Sequence, residues 1–216
     1  MVFAIVVIGW VFSLCLHEFS HAIVAYWGGD TSVREKGYLT FNPLRYTHPM
    51  YSLVMPLVFL ALGGIGLPGG AVYIEEHRLR SKGWRTAVSL AGPASSFLLA
   101  IALAAALRLA PAAGGEVWDA IAFLALLQIT SVALNLLPVP PLDGYRALSP
   151  YLDPWSRRLL DQAGRWTLWA LFLALWYVPV VNARFWSFVY AVADRLHIPI
   201  DWAIEGLRAF RFWVQR

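Results

Sequence analysis

His17-Glu18-Phe19-Ser20-His21 sets two imidazoles four residues apart, with a carboxylate beside the first. In a helix, residues i and i+4 share a face, so both rings can reach one metal ion. Glu18 then lies next to that ion, where it can take a proton from water. Zinc suits this set, because it lowers the pKa of coordinated water to about 7 and makes hydroxide available near neutral pH. The setting sharpens the reading. All three ionisable residues sit inside an apolar run, residues 2–27. A charge inside a membrane segment is costly unless paired or coordinated, so a polar surface helix does not account for them.

A catalytic zinc site usually has a third protein ligand and one open position. Asp143 is the candidate, in the run Asn135-Leu136-Leu137-Pro138-Val139-Pro140-Pro141-Leu142-Asp143-Gly144. Prolines break a helix there, which lets side chains turn inward. Asp143 offers an anionic oxygen, and Gly144 lets the chain pass close by. On its own the run would read as a helix-ending turn; with the first motif, the ligand reading prevails. Asn135 is still inside the apolar helix, where its amide can hold a substrate carbonyl or an oxyanion. Its plain alternative is an interhelical hydrogen bond. Gly92 and Ser96, four apart, read as a small-residue pair that allows close helix approach. Cys15 reads as a packing residue. His48, His77 and His197 read as interfacial or solvated.

These residues need elements that carry them into a bilayer, and the composition supplies them. Of 216 residues, 59% are hydrophobic and only 14% charged, against about 25% charged in a soluble domain. That excludes a disordered chain and disfavours a water-soluble enzyme. One cysteine excludes an internal disulfide framework or a zinc finger. The Lys and Arg residues lie in loops between apolar runs, so no nucleic-acid partner is expected.

Residues 2–27 would make a helix of about 39 Å, more than the ~30 Å hydrocarbon core. The run has no basic leader or small-residue cleavage site, so it reads as a retained span. Gly28-Gly29 stops it. From His21 to Gly28 is about 10 Å of helix, so the metal lies below one interface and needs water through a protein-lined cavity. Residues 37–41 have the aromatic and β-branched character of a short strand. Residues 51–67 read as a tilted span or a re-entrant hairpin. Residues 86–109 and 117–137 read as spans joined by a tight turn at 111–115. Residues 166–181 form a further candidate span, and 185–196 an interfacial helix.

The fold class expected is therefore an all-α polytopic membrane protein, with about four to six membrane segments and a short membrane-associated β element. A core over residues 1–165 is followed by an added span and interfacial tail over 166–216. Basic residues cluster in segments 28–50 (Arg34, Lys36, Arg45), 68–85 (Arg78, Arg80, Lys82, Arg85) and 138–165 (Arg146, Arg157, Arg158, Arg165). If residues 51–67 re-enter, all three share one face, and the positive-inside rule makes it cytoplasmic.

Together, His17-Glu18-Phe19-Ser20-His21, Gly37-Tyr38-Leu39-Thr40-Phe41-Asn42-Pro43-Leu44, Ala91-Gly92-Pro93 and the run from Asn135 to Gly144 resemble the site-2 protease family of intramembrane zinc metalloproteases. Their order and spacing are similar to the small prokaryotic subgroup without a PDZ domain. The likeness covers roughly residues 5 to 150. It implies that His17, His21 and Asp143 bind one zinc ion, that Glu18 activates water, and that Asn135 helps position substrate. It also implies a cytoplasm-facing site in a prokaryotic inner membrane. The substrate would be a membrane protein cut in or near a transmembrane helix, often to release a signalling domain. Tyr38, Leu39, Thr40 and Phe41 resemble the family's β element, to which an unwound substrate could add as a strand. The family often has Asn where Ser96 stands, and His and Asp where Tyr46 and His48 stand. Two other functions remain to be weighed. A non-proteolytic holder of client helices would not need Glu18, and a metal transporter should carry ionisable residues along a path across the membrane.

Overall fold

The computed structural model describes residues 1–45 and 72–214. Helix α1 (Val2–Gly28) is continuous through the His-Glu-Phe-Ser-His run. It ends where the chain reverses hand at Gly29, φ 117°, whose N–H returns to the carbonyls of Ala25 and Tyr26. A short helix α2 (Ser32–Glu35) follows. Helix α3 (Lys82–Leu107) starts at a Ser81 cap, whose hydroxyl accepts from the Trp84 N–H, and carries Pro93 inside it. Helix α4 (Glu116–Asn135) begins just past a turn in which Gly114 and Gly115 both have positive φ. The two spans and the tight connection expected from the sequence are thus present.

Helix α4 is the centre of the bundle. Every residue from 123 to 131 on it is buried. On one side Val6, Trp10 and Leu14 of α1 pack against Phe123, Leu124 and Leu127. On another, Ala100, Ala104 and Leu107 of α3 pack against Ala122, Ala125, Leu126 and Ile129. The pairings show that α1 and α4 run parallel and α3 runs against both. As a result, the C-terminal ends of α1 and α4 and the N-terminal half of α3 meet at one end of the molecule.

After α4 the prolines turn the chain into a short helix α5 (Asp143–Leu148). Gly144 makes this turn feasible, because a Cβ there would lie 2.2 Å from the Leu136 carbonyl oxygen. The Thr86 hydroxyl donates to the Ala147 carbonyl at 2.8 Å and ties α5 to α3. Helix α6 (Pro154–Tyr177) is capped by Asp153, which accepts from the N–H groups of Trp155 and Ser156. Helix α7 (Pro179–Arg195) packs Phe185, Val189 and Ala193 into the α3–α4 core. Helix α8 (Ile200–Phe210) buries Ala203, Gly206 and Phe210, and Phe210 stacks on Phe3 at the start of α1.

Among the described residues three helices, α1, α3 and α4, are long and apolar enough to cross a membrane, and the second half of α6 with α7 makes a fourth if counted as one broken span. One expectation changes. The span read at 166–181 is not straight: the chain turns by 89° between Tyr177 and Pro179. A residue before proline is pushed out of the helical region, and Val178 is accordingly extended at φ −104°, ψ 102°. Residues 185–196, read as an interfacial helix, fall almost wholly within α7, which packs against α4.

The short β element is the other difference. Among the described residues there is no strand, and Tyr38, Leu39, Thr40 and Phe41 form a bent, irregular stretch. Local bonds occupy backbone groups that a ladder would use: the Tyr38 N–H returns to Val33, and the N–H groups of Asn42 and Leu44 go to the side chains of Thr40 and Asn42. The re-entrant or crossing element read at 51–67, with Tyr46 and His48, lies outside the described residues.

The basic segments do gather at one end. Gly28 abuts Leu79 and Trp84. Lys36 pairs with Glu75 at 2.8 Å, and Arg157 pairs with Glu76 at 3.0 Å. This is also the end toward which the C-termini of α1 and α4 point.

Candidate active site

Helix geometry puts His17 and His21 on one face of α1, and the packing of α3, α4 and α5 closes around that face. The two Nε2 atoms are 3.1 Å apart. Asp143 Oδ2, delivered by α5, is 3.2 Å from His17 Nε2 and 3.4 Å from His21 Nε2. The three residues thus offer ligand atoms that converge on one point, and could hold a metal ion.

Hydrogen-bond bookkeeping explains why a cation belongs there. His21 Nδ1 lies 2.7 Å from the Val88 carbonyl. A carbonyl only accepts, so Nδ1 carries the proton and, in the neutral ring, Nε2 presents a lone pair. His17 Nδ1 is held at 3.0 Å by the Ser96 hydroxyl, which likewise turns its Nε2 inward. With the His17 proton also on Nδ1, donated to the Ser96 hydroxyl, two imidazole lone pairs and a carboxylate oxygen face one another, which is unfavourable without a positive charge among them. The spacing also suits zinc: ligands about 2.0–2.1 Å from one ion at tetrahedral angles stand about 3.3 Å apart. The residues present fit that metal.

Gly92 completes the cradle. A Cβ at this position would lie 2.3 Å from His21 Nε2 and 2.5 Å from His17 Nε2. The sequence suggested a helix-packing role for Gly92 and Ser96. The structure shows that α3 packs closely against α1 at His17 and His21 themselves, with Gly92 leaving room for the ring nitrogens and Ser96 beside one of them. Partners of this kind tune metal affinity by about 10- to 100-fold. Ser96→Ala is therefore expected to weaken zinc binding by about that factor, read by competition with a chelator of known affinity. Unaltered affinity would show that the hydroxyl does not orient His17.

Glu18 is buried beside the cluster. Its Oε2 accepts the Val72 N–H at 3.2 Å. Residues 72–75 run without helix across the site, and Val72 and Ile74 line its cavity. This segment is tethered to the end of α1. The buried Asp30 carboxylate accepts the Glu75 N–H at 2.8 Å and the Ser32 hydroxyl at 2.6 Å. Hydrogen bonds from Lys36 and Arg78 hold the Glu75 carboxyl down at about 2. Val72 and Ile74 were missed as site residues; their signal was the β-branched and aromatic run Val72-Tyr73-Ile74 ahead of Glu75-Glu76.

Asn135 is buried at the end of α4 and lines the same cavity, with Nδ2 3.4 Å from the Ser131 hydroxyl. That cavity, about 200 Å³, reaches His17, Glu18, His21 and Asp143. A larger one of about 710 Å³ shares Val72, Ile74, Val88, Ser89, Pro141 and Arg146 with it and extends to Arg157 and Asp161. The polar end of the molecule is thereby connected to the site. Tyr38, Leu39, Thr40 and Phe41 line neither cavity. Phe41 instead stacks on Phe12 and Phe19, with ring centres 5.9 and 4.9 Å away, on the far face of α1.

Comparison with known proteins agrees with this arrangement. No family profile and no solved structure matches the chain. A Mycolicibacterium smegmatis protein named "Putative zinc metalloprotease Rip2" is 45% identical over 213 residues, covering 98% of this chain and 82% of that one. The protein of the same name from Mycobacterium tuberculosis is 46% identical over the same length. "Putative zinc metalloprotease YwhC" of Bacillus subtilis is 31% identical over 202 residues, 88% of each chain. With identity of this extent over nearly the whole chain, the chain belongs to the site-2 protease family of zinc metalloproteases.

Proposed function

We propose that this protein is an intramembrane zinc endopeptidase that hydrolyses peptide bonds in or near transmembrane segments of other membrane proteins, in regulated proteolysis. The observation that supports it best is the converging His17, His21 and Asp143 donor set with Glu18 beside it, set inside a bundle of apolar helices. His17 and His21 through Nε2, and Asp143 through Oδ2, would hold the zinc ion. Zinc supplies a Lewis acid that lowers the pKa of water and polarises a carbonyl.

The chain's own groups do the rest. Glu18 takes a proton from the attacking water at Oε1, the carboxylate oxygen left over by the Val72 N–H, and returns it to the leaving amide nitrogen. Val72 fixes the direction of that carboxylate. Asn135 Nδ2 donates to the carbonyl oxygen of the scissile bond as negative charge grows on it. The walls of the 200 Å³ cavity admit water from the polar end and keep lipid out. By the positive-inside rule, the basic end faces the cytoplasm, in the cell membrane of a prokaryote. The partners are the bilayer and a substrate with a transmembrane helix.

Zinc removal tests this reading. Purified protein in detergent is stripped with a chelator and then given one equivalent of zinc. Cleavage of a transmembrane substrate should stop and then return. Cleavage that continues at full rate in the stripped protein would overturn the zinc mechanism.

A further inference from the structure

We infer that Arg146 selects substrates that carry an acidic residue roughly two to four residues from the scissile bond, a reading that rests on the proteolytic function proposed above. Arg146 lines both the 200 Å³ cavity and the 710 Å³ cavity, so it stands where one opens into the other. It is exposed, on the same short helix as Asp143 and three residues beyond it. Three helical residues advance about 4.5 Å, and an extended substrate advances about 3.3 Å per residue. With the added reach of the side chain, the guanidinium meets the substrate a few residues from the cut.

The charges around it leave it open. All 13 Asp and Glu residues of the chain lie within the described residues, and none forms an ion pair with Arg146. The two acids of the larger cavity, Glu76 and Asp161, are engaged by Arg157 at 3.0 and 3.7 Å. The Tyr145 hydroxyl donates to Asp161 at 2.6 Å. On the α3 wall, the Arg85 Nε is buried and donates to nothing among the described residues. Arg85 comes only to 4.0 Å of Glu76. The larger cavity therefore carries more cationic than anionic groups, and among the described residues the guanidinium on the wall it shares with the smaller one has no acidic partner. A carboxylate on the emerging substrate pairs with Arg146; a lysine there is repelled.

The test uses transmembrane substrates identical except for one residue, Asp or Lys, placed in turn at each of four positions on either side of the cut. The kcat/KM ratio of Asp to Lys substrate is measured for wild type, Arg146→Gln and Arg146→Glu. The ratio is internal to each variant, so a general loss of activity cancels. At one position or two adjacent ones, wild type should favour Asp by roughly 5- to 10-fold. Arg146→Gln should bring the ratio near one, and Arg146→Glu should invert it. A flat ratio at every position in wild type, or a preference for Asp that survives Arg146→Glu, would overturn the inference. If wild type cuts none of these substrates, the proteolytic reading fails. Binding of the same substrates to Glu18→Gln protein then decides the role of Arg146: an Asp-over-Lys preference supports it, and its absence refutes it.

Discussion

Glu18→Gln is expected to lower cleavage of a transmembrane substrate by about 10²- to 10⁴-fold while zinc remains bound at the wild-type level. The substitution is nearly isosteric. Its side-chain oxygen can still accept the Val72 N–H that the carboxylate accepts at 3.2 Å, so the fold of the 72–75 segment has no reason to change. Nor is Glu18 one of the three groups whose atoms converge, which are His17, His21 and Asp143. What the amide loses is the ability to take a proton. Metal content by elemental analysis and product by mass spectrometry, on the same preparations, separate the two roles. Wild-type turnover in this variant would assign the base elsewhere. Loss of zinc along with activity would move Glu18 into the metal-binding set. Retained binding with lost cleavage also argues against a protein that only holds client helices, since a holder would not need this carboxylate.

Gly92→Ala should have the opposite signature: zinc is lost first, and activity with it. In most helices this substitution is mildly favourable, by about 1 kcal/mol. Here the added carbon would stand 2.3 and 2.5 Å from the two ring nitrogens. The rings cannot simply swing away. His21 is fixed through Nδ1 to the Val88 carbonyl at 2.7 Å, His17 through Nδ1 to Ser96 at 3.0 Å, and both are buried. Either the rings leave the orientation that points Nε2 at Asp143, or α3 separates from α1. Both outcomes disperse the donor set. A drop in zinc affinity of at least about 100-fold is expected, with helix content by circular dichroism unchanged. Full zinc occupancy at wild-type affinity would show that the close approach of Gly92 to the ligands is not a constraint.

How much of this was legible beforehand depended on the range of the interaction. His17 and His21 share a face because helical rise and twist alone put them there, and an apolar run of this length is a helix by the need to satisfy its own backbone. Asp143 was legible only beside the His17 and His21 pair, which calls for a third ligand; on its own the proline run reads as a helix-ending turn. The roles of Gly92 and Ser96 were not. Their spacing is the same whether α3 packs on lipid-facing residues or on His17 and His21, and only the register of α3 against α1 decides between these. Val72 and Ile74 were hidden for a similar reason: their position over the site depends on Asp30 gripping the Glu75 backbone 45 residues away. The aromatic and β-branched run at Tyr38–Phe41 was misleading as a strand signal. Phe41 finds its partners on α1, and the neighbouring backbone groups find theirs locally. In the tail, Pro179 marked the bend in plain sight, but hydropathy alone carried the apolar run across it.

The most direct test is where the bond breaks. Purified protein is placed in lipid vesicles with a single-span substrate, and the products are mapped to the residue by mass spectrometry. The account predicts one main cut at a peptide bond in or at the edge of the apolar sequence, on its basic-flanked side, absent from vesicles holding Glu18→Gln protein. Cuts confined to the soluble flanks, or the same cut made equally by the variant, would contradict it.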